Sequence, residues 1–240
     1  GSQLQPQQQT LQLQQQLQVP EQDQQQWLWL GTDAVSHDNA HLIRVGTPGR
    51  RRDADTRPQT RLDGTVQHIF STYTAFAALT CSGAVVTWGN PGSGGNSNEV
   101  ADQLSSGVRQ IFATYTAFAA LKSDASLVTW GVAARGGDSF TVQDQLRSGV
   151  QYVFATSAAF AALKHDGSVV AWGDPNYGGN ARDVQDQLTS GVRYIFSTTS
   201  AFAALKHDGS VVTWKAPEGH GGDSSSVRDQ LSADVRCVFS

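Results

Sequence analysis

Four sets of side chains in this 240-residue chain have types and spacings that suggest chemistry. His165-Asp166 and His207-Asp208 each place an imidazole beside a carboxylate, the pairing used in general acid–base catalysis. His37 and His41 stand four apart, the spacing of a metal pair on one helix face. Asp102, Asp144, Asp186 and Asp229 recur every 42 or 43 residues, as a ring of carboxylates would. Gly-Gly-[Asp/Asn], as in Gly136-Gly137-Asp138, has the composition of glycine loops that hold calcium or phosphate.

For each set a structural role fits better than a chemical one. The slot of the two histidines holds Cys81 and Ser123 in equivalent places, while the turn around it persists, so His-Asp marks a surface turn. The histidine pair at 37 and 41 lies in a polar stretch with no third ligand nearby. The recurring aspartates fall on a polar helix face, where solvation or local hydrogen bonding explains them. The glycine loops recur at the wrong period for calcium-binding repeats, and no Gly-Lys-[Ser/Thr] follows them. No serine or cysteine sits in a nucleophile motif. The sequence therefore assigns no catalytic residue, no cofactor and no metal ligand.

The elements that carry these residues are written four times. Ala159-Phe-Ala-Ala-Leu-Lys-His-Asp-Gly-Ser-Val-Val-Ala-Trp-Gly173 has copies starting at Ala75, Ala117 and Ala201, a period of 42 residues. Such a period signals a propeller, solenoid or similar array. Within each unit Val-x-x-[Ile/Val]-Phe, rich in β-branched and aromatic residues, reads as a first strand. Ala-Phe-Ala-Ala-Leu reads as a second strand with apolar groups on both faces, small enough for neighbouring sheets to approach. Asp-Gly then predicts a hairpin turn in which glycine takes the positive φ, and Val-Val-x-Trp closes the third strand. The second and third strands are read as the inner hairpin of a blade.

After Gly-Gly, the four-residue spacing of Val142 and Leu146 predicts a short helix. Asn96, Asp138, Asn180 and Asp223 are its expected N-caps, and Gly107, Gly149 and Gly191 its expected ends. The fold expected is mainly β: a propeller-like array of four 42-residue units, each of three antiparallel strands plus a short helix. A fifth copy of the first strand, Val235–Phe239, makes this an open arc of a larger propeller whose terminal blade edges invite self-association. The four Phe–Trp sets are expected to form the core between blades.

The Ala-Leu-Lys-x-Asp-Gly-Ser-Val-Val-x-Trp-Gly core resembles the repeat of the regulator of chromosome condensation family, most nearly the compact repeats of β-lactamase inhibitor protein II. The likeness covers residues 62–240. It implies a β-propeller, usually seven-bladed, used for protein–protein recognition. This chain departs from the family after Trp-Gly, where Gly-Gly-[Asp/Asn] replaces the usual continuation. It has no counterpart of the family's nucleotide-exchange wedge, so exchange on a small GTPase is not carried over.

Three segments are expected: a glutamine-rich low-complexity tail at 1–26, an irregular basic linker at 27–61 with Arg50-Arg51-Arg52, and the array at 62–240. The first holds 14 glutamines, which solvate well and form no packed core. The array carries 15 acidic and 11 basic side chains, a balance with no electrostatic pull toward nucleic acid. There is no 18-residue apolar run for a membrane span. Two cysteines give no disulfide framework, which makes a reducing intracellular location, cytoplasmic or nuclear, the default.

Constancy of the strands contrasts with variety in the loop after tryptophan, the usual arrangement of a recognition surface. Arg135, Asn176, Tyr177, Glu218 and His220 in these loops are the expected contacts to a protein partner of unknown identity. The function expected is a non-enzymatic protein-binding module. The alternatives are a regulatory or substrate-recognition arm of a larger enzyme, such as a ubiquitin ligase or small-GTPase regulator, and a hydrolase or glycan-binding groove.

Overall fold

The computed structural model describes residues 65–214 and 221–238. The glutamine-rich tail, the basic linker with its arginines, His37, His41, Glu218 and His220 lie outside the described residues. Each unit folds as a three-stranded antiparallel meander. The first sheet contains β1 (Val66–Ser71), β2 (Ala75–Thr80) and β3 (Val85–Gly89). The second contains β4 (Val108–Ala113), β5 (Ala117–Lys122) and β6 (Leu127–Gly131). The third contains β7 (Val150–Ala155), β8 (Ala159–Lys164) and β9 (Val169–Gly173). The fourth contains β10 (Val192–Ser197), β11 (Phe202–Lys206) and β12 (Val211–Trp214). Every first strand carries a bulge after its opening valine, at Val66/His68 and its three equivalents. An extra residue there increases the local twist.

No sheet has a core of its own. The period-2 alternation of the middle strand sends one face to each neighbour. Ala75, Ala77 and Leu79 pack with Leu104 against Val108, Ile111, Phe118 and Trp130 of the next unit. The same arrangement joins the second sheet to the third and the third to the fourth. Alanine allows this close approach, and the phenylalanine fills the space it leaves. Phe118 stacks on its cross-strand partner Trp130 with ring centroids 5.1 Å apart. Trp130 Nε1–H donates to the Gly94 carbonyl of the preceding unit at 2.9 Å, and Trp172 and Trp214 do the same to Gly136 and Gly178. Three of the four Phe–Trp sets therefore form the core expected of them. The fourth, Phe76–Trp88, is stacked but exposed, at 44% and 43%.

Several expectations need adjustment. The first strands of successive units are neighbours, with β1 beside β4, β4 beside β7 and β7 beside β10. That makes the first strand the inner one, and the Ala-Phe…Trp-Gly hairpin the middle and outer pair. The hairpin turn itself is the three residues His165–Gly167: Lys164 N–H bonds to the Ser168 carbonyl and Gly167 N–H to the Lys164 carbonyl, with positive φ at the glycine alone. This is the three-residue loop with a left-handed final residue.

The helix after Gly-Gly is shorter than expected. In the first two units a 3-10 turn leads into one α-helical turn, α1 (Ala101–Leu104) and α2 (Gln143–Leu146). In the last two units the turn is 3-10 throughout, at Arg182–Leu188 and Ser225–Leu231. Asn96, Asp138, Asn180 and Asp223 each accept from the N–H two residues on, as side chains that open these turns. Val235–Val238, expected as a strand, is in no ladder. In the other units the first strand pairs with the second strand that follows it.

Candidate functional rim

One end of each of the first three sheets gathers the turn between first and second strands with the loop that leaves the third. A buried threonine ties them together. Thr72 Oγ1 accepts from Ala75 N–H and donates to the Ser93 carbonyl; Thr114 bonds equivalently to Ala117 and Arg135, and Thr156 to Ala159 and Tyr177. The loops themselves form 3-10 turns at Pro91–Ser93, Ala133–Arg135 and Pro175–Tyr177. Asn90 and Asp174 begin two of them by accepting from Gly92 and Asn176 N–H. Backbone bonds then link units: Tyr73 N–H to the Tyr115 carbonyl, Tyr115 N–H to Ser157, and Ser157 N–H to Thr199, each at 2.9 Å. The four turns form a continuous, hydrogen-bonded rim.

On this rim Arg135 and Asn176 are exposed. Tyr177 is different. Its ring packs on the core between the third and fourth sheets and its carbonyl holds Thr156, so it is partly structural. The rim also carries two aromatics that the sequence reading did not single out: Tyr73, 86% exposed, and Tyr115, 54% exposed. They occupy one repeat slot that continues as Ser157 and Thr199, and that variability directly after a constant threonine was the available signal.

The residues of catalytic type lie elsewhere. His165 and His207 are exposed on hairpin turns at the opposite ends of their sheets. Asp166 Oδ1 accepts from Ser168 N–H at 2.9 Å and from its Oγ–H at 2.6 Å, and Asp208 bonds equivalently to Ser210. These bonds stabilise the ionised carboxylate and lower its pKa below 3.8, which is the reverse of what a general acid needs. Asp102, Asp144, Asp186 and Asp229 are exposed on the helical turns, where Asp144 pairs with Arg147 at 3.3 Å. Among the described residues no three His, Cys, Asp or Glu side chains come together, and no helix is long and apolar enough to cross a membrane. Cys81 and Cys237 are exposed free thiols.

No protein-family model and no curated protein sequence matches the chain. Several solved structures align with part of the chain. Human WBSCR16 aligns at 19% identity over 65% of this chain and 48% of that one, with a TM-score of 0.43. Prp20p from Saccharomyces cerevisiae aligns at 18% identity over 64% and 44%, with a TM-score of 0.43. The WD40 ectodomain of the receptor kinase ACR4 from Arabidopsis thaliana aligns at 17% identity over 68% and 57%, with a TM-score of 0.41. The matched part of each is about half of its length.

Proposed function

We propose that the chain is a non-enzymatic recognition module that binds a protein partner across its rim. The observation that carries this reading is the placement of Tyr73 and Tyr115 side by side on a hydrogen-bonded scaffold, both largely exposed, on the same rim as the exposed Arg135. Tyrosine and arginine supply most interface hot spots, and a rigid scaffold lowers the entropy lost when they are captured. The engagement of Asp166 and Asp208 by serines supports a turn-forming role for the His-Asp pairs over acid–base work. The reading serves equally for a free-standing adaptor and for a recognition arm of a larger enzyme.

A photo-cross-linking residue at position 115, compared with one at position 165 on the opposite turns, tests the proposal. Capture of a partner at 115, abolished by Tyr73→Ala with Arg135→Ala and absent from 165, is the expected result. Equal capture at both positions would place the interface elsewhere.

A further inference from the structure

The two ends of the array are unmatched halves of one interface. The first sheet presents the face that in the other three sheets is covered: Phe118, Phe160 and Phe202 are at most 1% exposed, while Phe76 is 44% exposed. The fourth sheet presents the opposite face. Leu104, Leu146 and Leu188 are at most 1% exposed, whereas their equivalent Leu231 is only half-buried.

A glycine carries the same message. Gly94 and Gly136 have positive φ and lie so close to the next unit that a Cβ would stand 2.6 Å from Phe118 and 2.5 Å from Phe160. Gly221 holds the equivalent place with φ +81, is exposed, and has nothing within 4 Å of the same point. It is a cradle shaped for a phenylalanine ring that no described residue of its own chain fills.

We infer that two copies of this chain dock head to tail, with Phe76 and Trp88 of one copy seated on Gly221, Ala203 and Leu231 of the other. The joint repeats the contacts that already hold the four sheets together, so no new complementarity is required. Trp88 Nε1–H, on this geometry, donates to the Gly221 carbonyl as the other three tryptophans do to their preceding glycines. Because the two faces differ, the contact is heterologous and closes only as a ring. Two copies supply eight sheets, within the roughly 4–8 blades that propellers accommodate. On this inference the sheet face associates, where the sequence pointed to the strand edge.

Val235–Val238 competes for the joint. Val235 N–H bonds to the Gly209 carbonyl at 3.0 Å, as Val108, Val150 and Val192 bond to Gly83, Ala125 and Gly167. The segment thus lies in the slot that β1 of the incoming copy must take, but it has no ladder to hold it there.

Analytical ultracentrifugation of the full chain is the test. The expected mass is that of two chains, dissociating on dilution. Phe76→Lys with Trp88→Lys, and separately Leu231→Lys with Ala203→Lys, are each expected to give monomers with unchanged far-ultraviolet circular dichroism. Mixing the two variants in equal amounts restores a two-chain species, since one joint then pairs two unaltered faces. Ending the chain at Asp234 lowers the dissociation constant several-fold. A monomeric unmodified chain overturns the inference. So does a dimer insensitive to the Leu231 variant, or a mixture that fails to complement. An unaltered dissociation constant after the truncation refutes the competitor role.

Discussion

Ala125 sits where the other three hairpin turns have glycine, and its substitution measures what that turn demands. Its φ is +64, against +78, +76 and +79 at Gly83, Gly167 and Gly209. The hydrogen bonds are those of its counterparts: Ala125 N–H to the Lys122 carbonyl and Val150 N–H to the Ala125 carbonyl, both 3.0 Å. Ala125→Gly therefore changes no polar contact and removes only the strain of a Cβ in the left-handed region, about 1–2 kcal/mol. Against this, glycine loosens the unfolded chain by about 0.4–1 kcal/mol. The net expectation is a gain of roughly 0.5–1 kcal/mol, or about 1–4 °C in Tm for an array of this size. The reciprocal change, Gly167→Ala, adds the strain and puts a Cβ 2.8 Å from Gly191 N, for a loss of about 1–2 kcal/mol. Urea unfolding followed by tryptophan fluorescence reads both, with the m-value as the check on the unfolded state. If Ala125→Gly lowers the midpoint, or Gly167→Ala leaves it unmoved at constant m, the account of this turn fails.

Phe118→Ala opens a cavity in the core between the first and second sheets and is expected to cost about 3–5 kcal/mol. Phe140→Ala, at a ring 78% exposed, is expected to stay within about 0.5 kcal/mol of the parent; equal effects in thermal melts would refute this placement. The Asp124 and Asp166 carboxylates, held below 3.8 by bonds from Ser126 and Ser168, favour the folded state fully above that pH and cease to as pH falls through their lower folded values. Ser126→Ala with Ser168→Ala should therefore flatten the loss of stability on acidification below pH 3.8 while leaving its shape at neutral pH unaltered. An acid limb of undiminished steepness would refute it.

How much was legible beforehand follows from what a repeat can and cannot reveal. Comparing four copies inside one chain located all twelve strands, because Val-x-x-[Ile/Val]-Phe, Ala-Phe-Ala-Ala-Leu and Val-Val-x-Trp each keep a strand's composition in every unit. It also identified Phe118 and Trp130 as core. The same equivalence misled at Phe76 and Trp88: identical residues in identical slots are exposed because burial depends on a neighbouring sheet, and among the described residues none lies on that side of the first. Tyr73 and Tyr115 were overlooked for a related reason. Each lies in a short turn of its own unit, and only the hydrogen bonds between units bring them into one surface. Tyr177 was read as a free contact because sequence does not show that its ring folds back onto the core. The hairpin was recognised from Asp-Gly, yet its three-residue length depends on the bond from Gly167 to Lys164, which composition does not encode.

Cores that lie between sheets rather than within them make the array a one-dimensional chain of couplings. Its stability is a sum over junctions, so an inner sheet is clamped twice and an outer sheet once. Opening is therefore graded: the terminal sheets detach at a fraction of the global unfolding free energy, while β5 and β8 exchange their amide protons only when the whole array comes apart. Anything that engages an end face acts on the weakest members of the series first. The rim, threaded through all four sheets by single backbone bonds, would register that event along its whole length.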